Sequence, residues 1–406
     1  MTRFDPYSVE ARTDPAESYR WLRDHHPLYF IAEYDLWIVS RFEDVWRLMG
    51  DPSLPFQGRE VTHMTRAHLL MKNEGAVPPD GLDRIAAFPN VDPPHQGTLR
   101  GLVNRPFRPG QVAKLEPWFR AMVRRDLPGL LATGRFNLTD AIGQWSARTM
   151  CHLAGLPQDA APRVRTLVNA ASTRVGDPSA PPERTALAEL FGLVSTAVAE
   201  RRAAGADGAC PFIDPALTGR LAGRALDDAQ VTAQLMTPLV GGVETLPKVA
   251  AHGLWELAKH PRQLAEVRAD LERNVPRAFE EMTRFCAPAQ SFHRTVTERV
   301  EVMGEVLLPG QRIGFLTASA ARDPREFPDP DEFRWDRRIE RNLAFGRGDH
   351  FCMGVHLARM EGTVVVQEFL AAVPEYEIDE ANARRTVSNF QQGWDQLPVV
   401  INGGDR

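Results

Sequence analysis

Cysteine is scarce in this chain. Four of them in 406 residues (Cys151, Cys210, Cys286, Cys352) are widely scattered and form no C-x-x-C pair, which argues against a disulfide framework or a structural zinc site. That usage fits a reducing compartment. An excess of one charge sign is also missing. With 48 Lys and Arg against 53 Asp and Glu, the formal net charge is −5, and there is no electrostatic case for nucleic acid or an anionic membrane as partner. Long apolar runs are absent as well. The first residues, MTRFDPYSVEARTDPAESYRWLRDHHP, carry charge and proline throughout, with no signal-type apolar region and nothing near the roughly 20 apolar residues of a membrane span. A cytoplasmic, unanchored protein is expected. No internal repeat, low-complexity tract, composition shift or Gly-rich dinucleotide fingerprint is found. What remains is a globular composition, 43% hydrophobic and 25% charged, in a chain long enough to enclose a bulky cofactor within a single core.

Helical periodicity dominates. Pro15 to about His25 reads as an amphipathic helix with Asp14 as N-cap. LYFIAE and LWIVSR, around Tyr34–Asp35, read as a β-hairpin, and Phe42 to Gly50 as a helix. From about Pro52 to Val91 no clean period appears, as in a binding loop between ordered elements. Helix then follows helix from Glu116 to about Arg202, with breaks near Gly134, Pro157 and Gly176–Pro182. AAGADGACP (Ala203–Pro211) is an exposed connector. From about Asp227 to Lys259 runs a helical pattern about 50 Å long at about 1.5 Å per residue, enough to cross the whole molecule. Short strands return around Val300–Phe315. A helix follows Gly354 to about Val373, and the chain closes on an extended PVVI segment. The expected fold is mainly α with minor β-sheets, as one domain over residues 1–406.

The sharpest motif is FGRGDHFCMG, Phe345 to Gly354. Three glycines among aromatics describe a tight loop passing close to something large. Cys352 stands just before a helix start, where free N–H groups and the helix dipole favour a thiolate. A lone buried cysteine is usually inert, but the spacing of Phe345, Gly346, Gly348, His350 and Gly354 around this one weighs the other way. A second motif, LVGGVETLPK (Leu239–Lys248), sets two glycines and a proline in mid-helix, a cost that marks a kink or a ligand close to the backbone. Glu244 and Thr245 beside them are an acid–alcohol pair suited to moving protons in an apolar site. Glu281 and Arg284 share a helix face at i and i+3. DPPHQGTLRGLVNRPF (Asp92–Phe107) opens on a good helix start and places Gln96 and Arg100 four apart.

In their order along the chain the motifs resemble those of the cytochrome P450 family: [AG]-G-x-[DE]-T at 241–245, E-x-x-R at 281–284, and F-G-x-G-x-H-x-C-x-G at 345–354. The resemblance implies the P450 fold and haem b, its iron held by Cys352, with Phe345 packed near the sulfur and Phe345, Gly346 and Gly354 among the cofactor-binding residues. Thiolate ligation favours O–O cleavage. Gln96, Arg100, Arg294 and His350 are implied partners of the haem propionates, and Glu244 and Thr245 a proton relay. The sequence departs from the family where Leu246–Pro247 follows Thr245, because Pro247 cannot donate to the Val243 carbonyl. It departs again in PDPDEF (Pro328–Phe333), where Glu332 stands at the position of an arginine that usually joins the Glu281–Arg284 pair. Arg334 or Arg337 would then replace it.

The implied reaction is insertion of one oxygen atom of O2 into a medium-sized hydrophobic or aromatic small molecule, in secondary metabolism or catabolism. Electrons would come from a ferredoxin and its reductase, docking near Arg105, Arg108 and Arg347. Oxidative C–C or C–N coupling of an aromatic natural product such as a cyclic dipeptide is the alternative within the family. A non-catalytic haem sensor or electron carrier is the alternative outside it. By analogy the substrate pocket draws on the loop from about Pro55 to Asn90, on Val240 and Val243, on Ala289, Ser291 and Phe292, and on Phe390.

Overall fold

The computed structural model describes residues 4–60, 63–79, 86–172 and 183–401. The expected break at Gly176–Pro182 and part of the loop before Val91 lie outside these residues. Helices dominate, and small sheets sit near both ends of the chain.

The long helix spans Asp228–Lys259, 32 residues. It starts where Asp227 accepts from the Gln230 N–H while the Gln230 side chain accepts from the Asp227 N–H, a reciprocal capping box. Two of its glycines let neighbouring helices approach closely. A Cβ at Gly242 would lie 2.5 Å from the Met150 sulfur, and one at Gly253 2.2 Å from the Met282 sulfur. The helix is thereby clasped between Leu138–Ala154 and Leu271–Cys286. A further helix, Val355–Ala372, runs from the cysteine loop and packs on it too.

The hairpin of Leu28–Ile31 and Leu36–Val39 forms as expected. It extends into a five-stranded sheet, because Arg312–Phe315 pairs in parallel with Leu36–Val39 and antiparallel with Phe292–Val296. Phe56–Gln57 closes the other edge. Pro398–Ile401 lies between Tyr376–Ile378 and Arg135–Asn137, a long-range pairing that no local pattern announces.

Two helix starts differ from expectation. The helix expected from Glu116 begins at Pro109, because Val112 and Leu115 are buried and carry it through Pro117. The first amphipathic helix starts at Ala16 with Pro15 as its cap residue, one place later than expected, after a short helix Val9–Thr13 capped by Ser8.

Candidate active site

A cavity of about 520 Å³ lies between the long helix and the cysteine loop. On the loop side the backbone turns twice through the left-handed region, at Gly346 (φ +69°) and Gly348 (φ +73°), which L side chains adopt only at a cost. The Cys352 N–H donates to the Phe345 carbonyl at 2.8 Å, closing the loop under the sulfur. Burial pushes the Cys352 thiol up, while the Gly354 N–H, Arg100 and Arg359 pull it down. The net direction is up, so the helix start alone does not make a thiolate here. A cation held at the sulfur would supply the remaining stabilisation.

Three donors converge at the cavity's edge. Arg100, Arg294 and His350 all line it. Desolvation lowers the Arg294 guanidinium to about 10, and desolvation with the two arginines lowers the His350 imidazole to about 3. His350 Nδ1 is buried and has no partner among the described residues. Such a crowd of half-satisfied donors calls for an anionic ligand. A thiol facing apolar walls, with carboxylate-binding donors at the rim, fits a planar macrocycle that carries iron and propionates, which is haem. Gln96 is the exception. It is buried and donates to the Asp349 carbonyl at 2.9 Å, so it braces the loop and does not line the cavity. Arg100 also donates to this loop, at the Phe351 carbonyl (2.6 Å).

On the opposite wall, Glu244 and Thr245 both line the cavity. The Thr245 hydroxyl donates to the Gly241 carbonyl at 3.1 Å, one turn back. Glu244 is 1% exposed and pairs with Lys248. The Val243 carbonyl, deprived of its helical donor by Pro247, accepts from Arg165 Nη1 at 3.2 Å. Gly143 makes room for that guanidinium, since a Cβ there would meet Arg165 Nε at 2.2 Å. The irregularity at Leu246–Pro247 is thus compensated from a different helix, Ala161–Ser172.

Of the expected substrate positions, Val240, Ala289, Phe292 and Phe390 line the cavity. Val243 and Ser291 do not. Val243 is fully buried on another face of the helix from Gly241 and Glu244. Ser291 alternates with Phe292 along extended chain, so it faces the other way. His63, from the aperiodic loop, stacks on Phe390 with ring centroids 4.3 Å apart.

The Glu281–Arg284 pair finds its third member in Arg337. Glu281 Oε2 accepts from Arg284 Nε at 2.6 Å, and Oε1 accepts from Arg337 Nε at 3.1 Å. Arg337 also donates to the Glu332 carbonyl, so the residue standing in the usual arginine position serves through its backbone. The same helix reaches the cysteine loop through Asn342, which donates to Thr283 Oγ1 and accepts from the Ala344 N–H.

Glu361 was not anticipated from sequence. It lines the cavity, is 1% exposed, and one carboxyl oxygen has no partner among the described residues. Burial pushes its carboxyl up to about 8, against a weaker pull from the Thr149 hydroxyl. The signal lay in its register: Leu357, Val364 and Val365 are buried around it, so an acid falls on an apolar helix face.

A cytochrome P450 family model matches residues 183–379. "Putative cytochrome P450 123" of Mycobacterium tuberculosis is 32% identical over 98% of this chain and 96% of that relative. "Cytochrome P450 monooxygenase PikC" of Streptomyces venezuelae is 30% identical over 90% and 85%. The structure of a mutant of P450 EryK in complex with erythromycin B superposes with a TM-score of 0.82, at 26% identity over 97% of this chain and 98% of that one. The class defined by fold and site is a haem-thiolate oxygenase. This chain belongs to the cytochrome P450 family and is a cytochrome P450 monooxygenase.

Proposed function

We propose that the chain works as one catalytic domain that hydroxylates or otherwise oxidises a medium-sized hydrophobic or aromatic small molecule, in secondary metabolism or catabolism. The observation that carries this reading is a single cavity walled by Cys352, by the Glu244–Thr245 pair and by apolar side chains such as Val240, Phe292 and Phe390. A relative whose structure holds erythromycin B supports a sizeable organic substrate. Cys352 would hold the haem iron, and Arg100, Arg294 and His350 its propionates. When bound, the haem supplies O2 activation. Thr245 sits where it can pass a proton into the cavity, and Glu244 stands next to it in sequence as the acid that resupplies it. Phe292 and Phe390, edge to face at 6.0 Å, form an aromatic corner against which a substrate would lie.

Electrons would come from a ferredoxin and its reductase. Arg105 and Arg108 are exposed in and beside the short helix Arg105–Phe107, which packs on the helix that leaves the cysteine loop, and they offer charge to an acidic partner. Arg347, expected beside them, lies over the Trp46 ring at 3.7 Å and is half-buried, so it is partly committed within the chain. No helix among the described residues is long and apolar enough to cross a membrane, which is consistent with a cytoplasmic enzyme.

The test is a ferric absorption titration of the haem-loaded protein against terpenoids, steroids, fatty acids and aromatic cyclic dipeptides. A saturable Soret shift to shorter wavelength with one class would name the chemotype. Product mass then separates oxygenation, one oxygen gained, from coupling, two hydrogens lost. No shift with any class would overturn the small-molecule reading.

A further inference from the structure

Three glutamines stand in or beside the cavity wall that carries Phe390, and two of them brace it. The Gln290 amide accepts from the Tyr19 hydroxyl at 2.7 Å and donates to the Ser388 carbonyl at 2.7 Å. The Gln392 amide donates to the Cys286 and Ala287 carbonyls. Gln391 stands between Phe390 and Gln392, lines the cavity and is 2% exposed, yet its side-chain oxygen has no partner among the described residues. Its Nε2 donates to none of them either. The backbone around it is fixed. The Phe390 and Gln391 N–H groups both donate to Ser388 Oγ, the Gln290 N–H donates to the Phe390 carbonyl at 2.6 Å, and Gln391 bridges to Ala289 across the wall. The loop is held from both sides, and the amide it presents is left over. A buried amide with its hydrogen bonds unmade costs free energy that an apolar side chain of the same size would not. An uncommitted amide on a cavity wall therefore points to a ligand.

We propose that Gln391 is a specificity-determining residue, and that the substrate carries a hydroxyl or a secondary amide that pairs with its side chain. The proposal rests on the reading of this cavity as the site of a small organic substrate. A primary amide offers two N–H donors and a carbonyl acceptor. Its best complement is a group that donates and accepts at neighbouring points, as an alcohol or a lactam does. An ether or a tertiary amide meets it only in part, and a hydrocarbon not at all. Arg100, Arg294 and His350 are engaged toward the haem, and Glu244 and Thr245 toward proton transfer, so none of these supplies the recognition. The neighbours of Gln391 on the wall are apolar: Ala289 across the bridge, and Phe390 with Phe292 against it. In such surroundings one hydrogen bond discriminates strongly, because an analogue that lacks it leaves the amide bare. The bracing by Gln290 and Gln392 gives that discrimination a fixed place on the wall.

The experiment titrates haem-loaded wild type and Q391M with matched pairs of compounds, read by the Soret shift. The pairs are a hydroxysteroid and its deoxy form, a terpene alcohol and its parent hydrocarbon, and an aromatic cyclic dipeptide and its N,N′-dimethyl form. Methionine keeps the length of the side chain and removes the amide. In wild type, at least one pair should show a Kd about 10-fold or more lower for the member with the free hydroxyl or N–H. In Q391M that ratio should fall to about 2-fold or less, through weaker binding of the polar member alone. Ligand-free Q391M should unfold at the wild-type temperature or above it, because no hydrogen bond within the chain is lost. A ratio near one in wild type, an unchanged ratio in Q391M, or equal weakening of both members would overturn the proposal. So would a fall in Tm of about 3 °C or more in ligand-free Q391M, which would place the amide's bonds within the structure. Should Q391M not take up haem, Q391A is judged by the same ratio. If no compound shifts the Soret band in wild type or variant, the small-molecule reading itself fails and the proposal falls with it.

Discussion

The loop that carries Cys352 and the stretch of long helix that carries Glu244 face each other across one cavity, and they are held in different ways. The loop is shaped by its own backbone: two left-handed glycines, the Cys352 N–H on the Phe345 carbonyl, and Gln96 and Arg100 donating to the Asp349 and Phe351 carbonyls. The helix stretch is irregular, and side chains from elsewhere repair it. Arg165 takes up the carbonyl that Pro247 leaves free, and Gly393 seats the lysine that pairs with Glu244. A loop that positions a metal ligand must be rigid. A segment that is to pass protons, as proposed for Glu244 and Thr245, would need side chains free to move, and side-chain contacts allow that where a backbone ladder would not.

Cys352→Ser gives the largest expected effect on the loop side. The haem-loaded variant should lose the thiolate-type Soret band of its reduced carbon monoxide complex entirely, with unchanged far-ultraviolet circular dichroism. Retention of that band would remove Cys352 as ligand. Thr245→Ala, on the helix side, should keep the band and raise peroxide release, so the two substitutions separate ligation from proton delivery.

Next in size is the ion-pair network braced behind the loop. Glu281, Arg284 and Arg337 are buried together, and Arg337 also donates to the carbonyls of Pro328, Asp329 and Glu332. Arg337→Met leaves an incompletely paired buried carboxylate and several bare carbonyls, at about 3–5 kcal/mol. Urea unfolding of the haem-loaded protein would report it. A loss below about 1 kcal/mol would mean that Arg284 alone satisfies Glu281.

Glu361 lies between the two regions, on the helix that leaves the loop. Its carboxyl is raised from the ordinary carboxylate range to about 8 by burial. The unfolded chain ionises first as pH rises, so the folded state holds more protons and stability falls with pH through that window. The contribution is intact below the unfolded value and is lost by about pH 8, on the order of 5 kcal/mol in all. Glu361→Gln should therefore flatten the stability-versus-pH curve between mildly acid and mildly alkaline conditions. Superimposable curves for variant and wild type would show that the carboxyl is hydrated in solution.

What the sequence disclosed follows the same division. The loop could be read because glycine, aromatic and cysteine spacings are local and each has a backbone cause. The long helix was equally plain, to within a residue of its capping box. The supports of its irregular stretch were not, since Arg165, which bonds the Val243 carbonyl, and Gly393, which packs on Lys248, come from distant segments. Val243 and Ser291 are expected in the pocket by the family analogy alone, and helical and extended periodicity turn them away from it. The aperiodic stretch before Val91 hid His63, which meets Phe390 only in the folded chain.

The smallest expected effects make the finest comparison, because one residue type serves the two regions for different reasons. Gly348 needs its positive φ, and a Cβ there would stand 3.0 Å from the Met49 carbonyl oxygen, a backbone atom with little freedom to yield. Gly348→Ala should cost about 1–2 kcal/mol through conformation alone. Gly242 has ordinary helical φ, and its Cβ would meet the Met150 sulfur at 2.5 Å. That sulfur sits near the end of an unbranched, adaptable side chain. Helix propensity favours alanine over glycine by about 1 kcal/mol, which offsets part of the repacking. Gly242→Ala should then be close to neutral in stability while narrowing the space between the helices Asp228–Lys259 and Leu138–Ala154. Paired chemical denaturation would test the contrast. If Gly242→Ala proves the costlier of the two, the long helix is held as tightly as the loop, and the division between a rigid wall and an adjustable one fails.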